Sequence, residues 1–125
     1  VSDDRHATIW IGGTPPSYNT LVHAHWRKNH KAKQDWQQWC FLALLKAEVP
    51  RGLEVVTATA MLHFKQHRRR DEGNFRVVLE KALGDALVNG EWLPDDTPDH
   101  YRFERLRFTS PSAVAPRTEV ALVFR

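Results

Sequence analysis

Alternation is the clearest signal in the chain. In "LEVVTATAMLHF" (Leu53 to Phe64), Val56, Ala58, Ala60, Leu62 and Phe64 place apolar side chains on one face among many β-branched residues, which predicts a full strand. "HATIWI" (His6 to Ile11) predicts a first strand. "GGTPPSYN" ends it, because two glycines and two prolines cannot continue a ladder. "YRFERLRF" (Tyr101 to Phe108) and "TEVALVF" (Thr118 to Phe124) predict two closing strands joined by the polar loop "TSPSAVAPR". Two other segments change period. Trp36, Trp39, Cys40, Ala43, Leu44 and Ala47 recur at three and four, which predicts a helix from about Lys33 to Ala47, closed by Val49-Pro50 and Gly52. Phe75, Val78, Leu79, Ala82, Leu83, Ala86 and Leu87 predict a second helix over Asn74–Asn89, with Asp71 or Asn74 as N-cap and Asn89-Gly90 as stop. "LVHAHWRKNHK" has no clean period and reads as a basic loop, and "EWLPDDTPDH" as another loop. The order β-α-β-α-β-β implies one domain over residues 1–125 of α+β (α/β) class, a small mixed sheet of about four strands with two main helices packed on it.

Composition narrows the setting. A chain of 125 residues, 42% hydrophobic and 26% charged, suits one core. No apolar run approaches the ~18 residues of a membrane helix, and the polar opening "VSDDRHATIW" does not read as a signal peptide. The single cysteine, Cys40, cannot form an internal disulfide, so a reducing cytoplasm is the expected location and a buried, inert thiol the expected role. The net charge of +3 says less than its distribution. "HWRKNHKAK" and "FKQHRRR" are basic blocks, and acids gather at Asp71–Glu72 and Asp95–Asp99, a pattern suited to a polyanion ligand.

The segment "HRRRDEGN" sets Arg68, Arg69 and Arg70 directly before Asp71 and Glu72 at a strand-to-helix junction. An acid there can simply cap the helix. Asp95 and Asp96 form a second acidic pair, for which solvated turn aspartates are the plain alternative. A helix over Asn74–Asn89 is roughly 24 Å long. The steps from Gly90 to Asp96 can return about 20 Å, so Asp96 can approach Asp71 in the same chain if "EWLPDD" doubles back, anchored by Trp92 and Leu93. Otherwise a second subunit would supply one of the acids. Converging carboxylates need a cation, and oxygen-only ligands select Mg²⁺ or Mn²⁺. Such an ion beside arginines is an arrangement that cleaves phosphodiesters.

"PPSYN" (Pro15 to Asn19), "RRDEGN" (Arg69 to Asn74) and "DALVNGEWLPDD" (Asp85 to Asp96), in that order and spacing, resemble the RusA family of Holliday junction resolvases. The resemblance extends from the first strand to about Phe108. It implies a homodimer, a divalent metal held by aspartates, and paired nicks in four-way DNA junctions. Asp71 matches the first family aspartate and Asp96 the last, with Asp95 beside it. The second family aspartate falls on Gly73, and Glu72 or water would take its place. A family lysine falls on Val77; Lys81, one turn later on the same face, is its expected replacement.

The resulting expectation is a metal-dependent endodeoxyribonuclease for branched DNA. Asp71, Asp96, Glu72 and Asp95 would be metal ligands, and Arg70 and Lys81 would stabilise phosphate charge. Arg68, Arg69, Arg70, Asn74, Asn19, Arg27, Lys28, Lys31 and Lys33 would contact DNA. Mg²⁺ (or Mn²⁺) is the expected cofactor, with no small-molecule cofactor and no membrane partner. The alternatives are a non-catalytic, structure-specific DNA-binding relative and a protein-interaction domain with ordinary salt bridges. His23, His25 and His30 invite a zinc reading, but lack the firm spacing of a closed site. His63 and His67 are placed where a general base could stand, although packing is the commoner role there. Trp36 and Trp39 are expected in the core, and Trp26 and Tyr18 could pack or stack on a base.

Overall fold

The computed structural model describes residues 4–66, 68–110 and 115–125. The alternating segments form one four-stranded mixed sheet in the order β1-β4-β2-β3. β1 (Arg5–Gly12) and β2 (Val56–His63) each pair antiparallel with β4 (Arg117–Phe124), and β2 pairs parallel with β3 (Tyr101–Thr109). A parallel pair needs a long crossover, and α3 (Glu72–Asn89) supplies it. α2 (Trp26–Lys46) packs beside α3, and the short α1 (Tyr18–His23) lies against both. The mixed α+β class expected from the sequence is the observed one.

The period of two buries one face of the sheet. Ile9, Ile11, Val56, Ala58, Ala60, Leu62, Tyr101, Phe103, Leu106, Val120, Leu122 and Phe124 all join the core. The helices cover this side with Trp36, Cys40, Ala43 and Leu44 from α2 and Leu79, Ala82, Leu83, Ala86 and Leu87 from α3. The strand positions between them, such as Thr8, Thr57, Thr59, Met61 and Ala121, remain exposed or half-buried on the other face. Burial pushes the Cys40 thiol up to about 12, as suits an inert core cysteine.

Three local readings need correction. The segment read as a basic loop, Leu21 to Lys31, is the second half of α1, two linking residues and the first six residues of α2. Ser17 caps α1 by accepting the Thr20 N–H at 3.2 Å, and His25 Nδ1 caps α2 by accepting the Arg27 N–H at 3.2 Å. No residue before Trp36 in α2 is buried, so no apolar stripe marks this part. β2 begins at Val56 rather than Leu53, because Leu53 N–H donates to Trp92 O and the Glu54 and Val55 N–H groups both donate to Arg125 O. Trp39 is 43% exposed; it lies at the margin of the helix stripe and packs edge-on against buried Trp36 at 5.3 Å.

The end of α3 is pinned by Trp92. Its side chain is fully buried, and its Nε1–H donates to Val49 O at 2.8 Å. The Trp92 N–H donates to Leu87 O at 2.9 Å, closing the helix, while Trp92 O accepts from Leu53 N at 2.8 Å. Gly90 makes room: a Cβ there would stand 2.2 Å from Cζ3 of the indole. Gly84 does the same in mid-helix, where a Cβ would lie 2.8 Å from Cε2 of Tyr101. Trp92→Ala should therefore cost about 3–5 kcal/mol, read as a lowered urea midpoint. Trp92→Phe, which keeps the ring and loses the indole donor, should cost about 1–2 kcal/mol.

Candidate functional site

The expected metal-ligating acids lie beside α3, in or near two depressions that each mix acids with cations. At its N-terminus Asp71 is the cap: its Oδ1 accepts the Gly73 N–H at 3.0 Å, so of the two cap candidates Asp71 fills the role. Asn74 lies inside the first turn, half-buried, and its N–H donates to Asp71 O at 3.2 Å. Asp71, Glu72, Arg69 and Arg70 line an open cavity of about 630 Å³. The helix end itself favours negative charge there, so two carboxylates accumulate without a cation to join them. Arg68 and Arg69 are exposed beside them. Arg70 is occupied differently. Its guanidinium lies 3.7 Å from the Phe64 ring centroid and donates to Gln66 O and Arg68 O, both at 3.2 Å. It holds the strand-to-helix turn together, which leaves Arg68 and Arg69 as the outward cations of the trio.

The second depression lies halfway along α3. Val77, Glu80, Lys81, Asp96, Pro98, Tyr101, Arg102 and Phe103 line a cavity of about 590 Å³. The loop after Trp92 thus does double back, as its buried Trp92 and Leu93 anchor predicts. It brings Asp96 as far as Lys81, ten residues and roughly 15 Å of helix axis from Asp71. Lys81 Nζ pairs with Asp85 Oδ1 at 3.0 Å. The hydrogen bond and charge of Asp85 raise the Lys81 pKa above its ordinary value, with a smaller contribution from Asp96. Asp95 accepts the Asp96 N–H at 2.7 Å and is exposed.

The convergence of all four acids within one chain is not what the fold builds. Asp71 and Glu72 share one cavity and Asp96 lines another, and among the described residues no group of three or more His, Cys, Asp or Glu stands together. The return loop stops beside Lys81 because β3 begins at Tyr101: the Tyr101 N–H donates to Thr97 O, and its hydroxyl donates to Glu80 O at 2.8 Å. Among the described residues His23, His25 and His30 form no such group either.

The basic track is helical. Arg27, Lys28, Lys31 and Lys33 are exposed on the first turns of α2, with Lys31 paired to Asp35 at 2.9 Å. Trp26, 67% exposed, stacks on His25 at a ring separation of 5.8 Å. Asn19 is exposed on α1. Among the described residues no helix is long and apolar enough to cross a membrane. His63 lies on the face of the sheet away from the helices and pairs with Glu119 at 3.0 Å, so it does not face Asp71. His67 lies outside the described residues.

Sequence reasoning passed over two sets of cations. Arg76 donates to the carbonyls of Phe103 and Glu104 and pairs with Glu80, tying α3 to β3. Arg102, Arg105 and Arg107 form an exposed series on β3. Their spacing in "YRFERLRF" was the available signal. No protein-family model matches the chain, and no curated protein matches it.

Because Asp85 stabilises the charged ammonium, Asp85→Asn should lower the Lys81 pKa toward its ordinary value. A ¹⁵N-detected NMR titration of the lysine side chains would read this as an earlier Lys81 transition, with the other lysines unmoved.

Proposed function

We propose that the domain is a metal-dependent endodeoxyribonuclease that acts on branched DNA as a homodimer, as the RusA resemblance implies. The observation that carries the reading is the arrangement along α3. Asp71 and Glu72 stand beside exposed Arg68 and Arg69 at one end, and Asp96 has been returned to the charged Lys81 on the same helix. The resemblance selected these positions from their sequence pattern.

The residues suit a hard divalent ion. Asp71 uses one oxygen for its cap and has a second to offer, and Glu72 follows it on the same cavity wall. Mg²⁺ commonly takes only one or two protein carboxylates, with water and phosphate oxygens completing its octahedron. Asp71 and Glu72 would hold it. Asp95 and Asp96 of the partner subunit would complete a fuller shell if the dimer axis set the two depressions face to face. When bound, the ion would lower the pKa of a water and neutralise charge developing at phosphorus. The chain's own part is to place the scissile phosphate. Arg68 and Arg69 would grip the strand electrostatically, Lys81 would carry a fixed positive charge along α3, and the α2 cations would hold a neighbouring arm. These contacts read backbone and shape rather than sequence. Isologous symmetry would then place two sites on opposed strands of a two-fold junction.

A specific observation favours the second reading, a non-catalytic DNA-binding relative: among the described residues no three acids cluster, and by the RusA resemblance Gly73 stands where that family carries a ligand. One substitution weighs the two. A Cβ at Gly73 would meet only Asp71 Oδ1, at an ordinary 3.4 Å, and an added acid in the first turn suits the helix end. Gly73→Asp should therefore fold, bind Mn²⁺ more tightly by calorimetry, and raise cleavage if the site is a weakened nuclease.

The direct test is junction nicking in Mg²⁺. Asparagine caps a helix as well as aspartate, so Asp71→Asn should keep the fold and junction binding while losing at least about 100-fold in cleavage, of the order seen when a charge-stabilising group is removed. Wild-type cutting by that variant would end the assignment. Mixing Asp71→Asn with Asp96→Asn chains should restore partial cleavage if the shell is shared across subunits, because one site of each mixed dimer is then intact. Tight binding without any nicking by the wild-type chain supports the non-catalytic reading.

A further inference from the structure

β3 breaks its own alternation, and the break aligns three cations. Thr57 pairs with Arg102 and Ala58 with Phe103, but Thr59 pairs with Arg105, so Glu104 is an extra residue in a bulge. A bulge of this kind re-aims the side chains that follow it. Without it, Arg105 would point into the core and Leu106 out of it. With it, Leu106 is 1% exposed beneath the helices, and Arg102, Arg105 and Arg107 stand beside Thr57, Thr59 and Met61 on the open face of the sheet. The three arginines therefore rise in step with alternate residues of β2, about 6.7 Å apart. That is about twice the ~3.4 Å axial rise per phosphate of one DNA strand.

Among the described residues none of the three is in an ion pair, although exposed Glu104 is the chain neighbour of Arg105. All three are exposed, and the ion pairs among the described residues engage other groups: Lys31–Asp35, His63–Glu119, Arg76–Glu80 and Lys81–Asp85. Arg102 donates its Nε–H to Pro98 O at 3.0 Å, and among the described residues neither Arg105 nor Arg107 makes a hydrogen bond or ion pair. On β4 the open face adds Arg117, whose guanidinium lies 4.6 Å from the Trp10 ring centroid, and Glu119, which His63 already engages. Charge on an edge strand also deters pairing with other chains. That role is met by either sign on either face and does not require three like charges in one line. A second copy of the same face would oppose arginines with arginines, so self-association through it is disfavoured.

We propose that the β3 arginine ladder binds the phosphodiester backbone of a nucleic-acid strand, forming a surface separate from the acids at the start of α3. That the strand is DNA rests on the function proposed above; the charge geometry does not. The ladder also has a direction. Arg102 lines the cavity that contains Lys81 and Asp96. A backbone lying along Arg107, Arg105 and Arg102 leads round the sheet edge into that cavity, so the ladder guides one arm of a branched substrate toward α3.

The test is binding of a fluorescein-labelled four-way DNA junction in EDTA, followed by anisotropy over a salt series, so that cleavage plays no part. Arg105→Glu/Arg107→Glu should weaken binding roughly ten-fold or more and flatten the plot of log K against log salt by about 1.5–2, the slope of two lost phosphate contacts. Arg105→Lys/Arg107→Lys keeps the charge and should retain the wild-type slope, and circular dichroism should show all variants folded. A glutamate variant with wild-type affinity and slope overturns the proposal. So does a wild-type chain that binds anionic phospholipid vesicles through these arginines and not the junction, or one in which the glutamate pair alters only self-association by sedimentation. The two proposals fail separately. Loss of binding in the ladder variant of a chain that never nicks DNA keeps the ladder and removes the nuclease. Wild-type binding in that variant, with nicking abolished by Asp71→Asn, does the reverse.

Discussion

The burial of Trp92 is the constraint on which the arrangement of the candidate site depends. One buried residue joins three parts of the chain that would otherwise be independent: its indole N–H holds the segment after α2 through Val49, and its main chain holds the end of α3 through Leu87 and the approach to β2 through Leu53. Phe41 packs edge-on at 5.3 Å, and Arg51 covers the indole at 4.5 Å while donating to Gly90 O at 2.7 Å. Burying an aromatic of this size is worth several kcal/mol, a large share of a stability of about 5–15 kcal/mol for a domain. Its functional consequence is geometric. With the helix stop fixed, the next residues have no course but back along α3, and the acids of "PDD" return to Lys81.

α3 then acts as the organising axis of the chemistry. Its start collects Asp71 and Glu72 because a helix N-terminus favours anions, and in its middle Lys81 pairs with Asp85 one turn on. Gly84 lets Tyr101 seat against the helix, and Arg76 grips the carbonyls of the β3 bulge. The acids, the fixed ammonium and the β3 arginines are therefore referred to one rigid element. Lys81 and the β3 arginines are supported on a helix and a strand, which keeps their spacing usable by a polymeric ligand, while Asp71 and Asp96 are set by the loops that meet α3.

Much of this was legible in the sequence, and the limits are physical. The β2 and β4 alternations and the α3 stripe were readable because each buries one face and nothing else competes. The buried positions of α3 follow its three-and-four pattern from Val78 to Leu87. The Trp92–Leu93 anchor was readable as two large apolar residues in a polar loop. The early turns of α2 were not, because they bury nothing; helix-forming Arg, Lys, Ala and Gln and a histidine cap support them without an apolar period. Trp39 misled because a stripe defined by spacing does not reveal its own margin. The resemblance picked out four acids, but whether they meet depends on where a loop stops, and the Tyr101–Glu80 hydrogen bond decides that.

The bulge in β3 shows why charge placement is the least legible feature. "YRFERLRF" reads as alternation only if its phase is allowed to slip once, and the slip costs an unpaired residue, Glu104. The core gains from it, since Tyr101, Phe103 and Leu106 all turn inward. A strand with strict alternation would have met the same demand with no bulge at all. What the slip adds is on the other side: three cations fall in register on a face that no helix covers. In a two-layer fold the open face carries no packing requirement, so its side chains are free to answer to something outside the chain. On β3 three of them are arginines at a regular interval, along the edge that leads to Lys81 and Asp96.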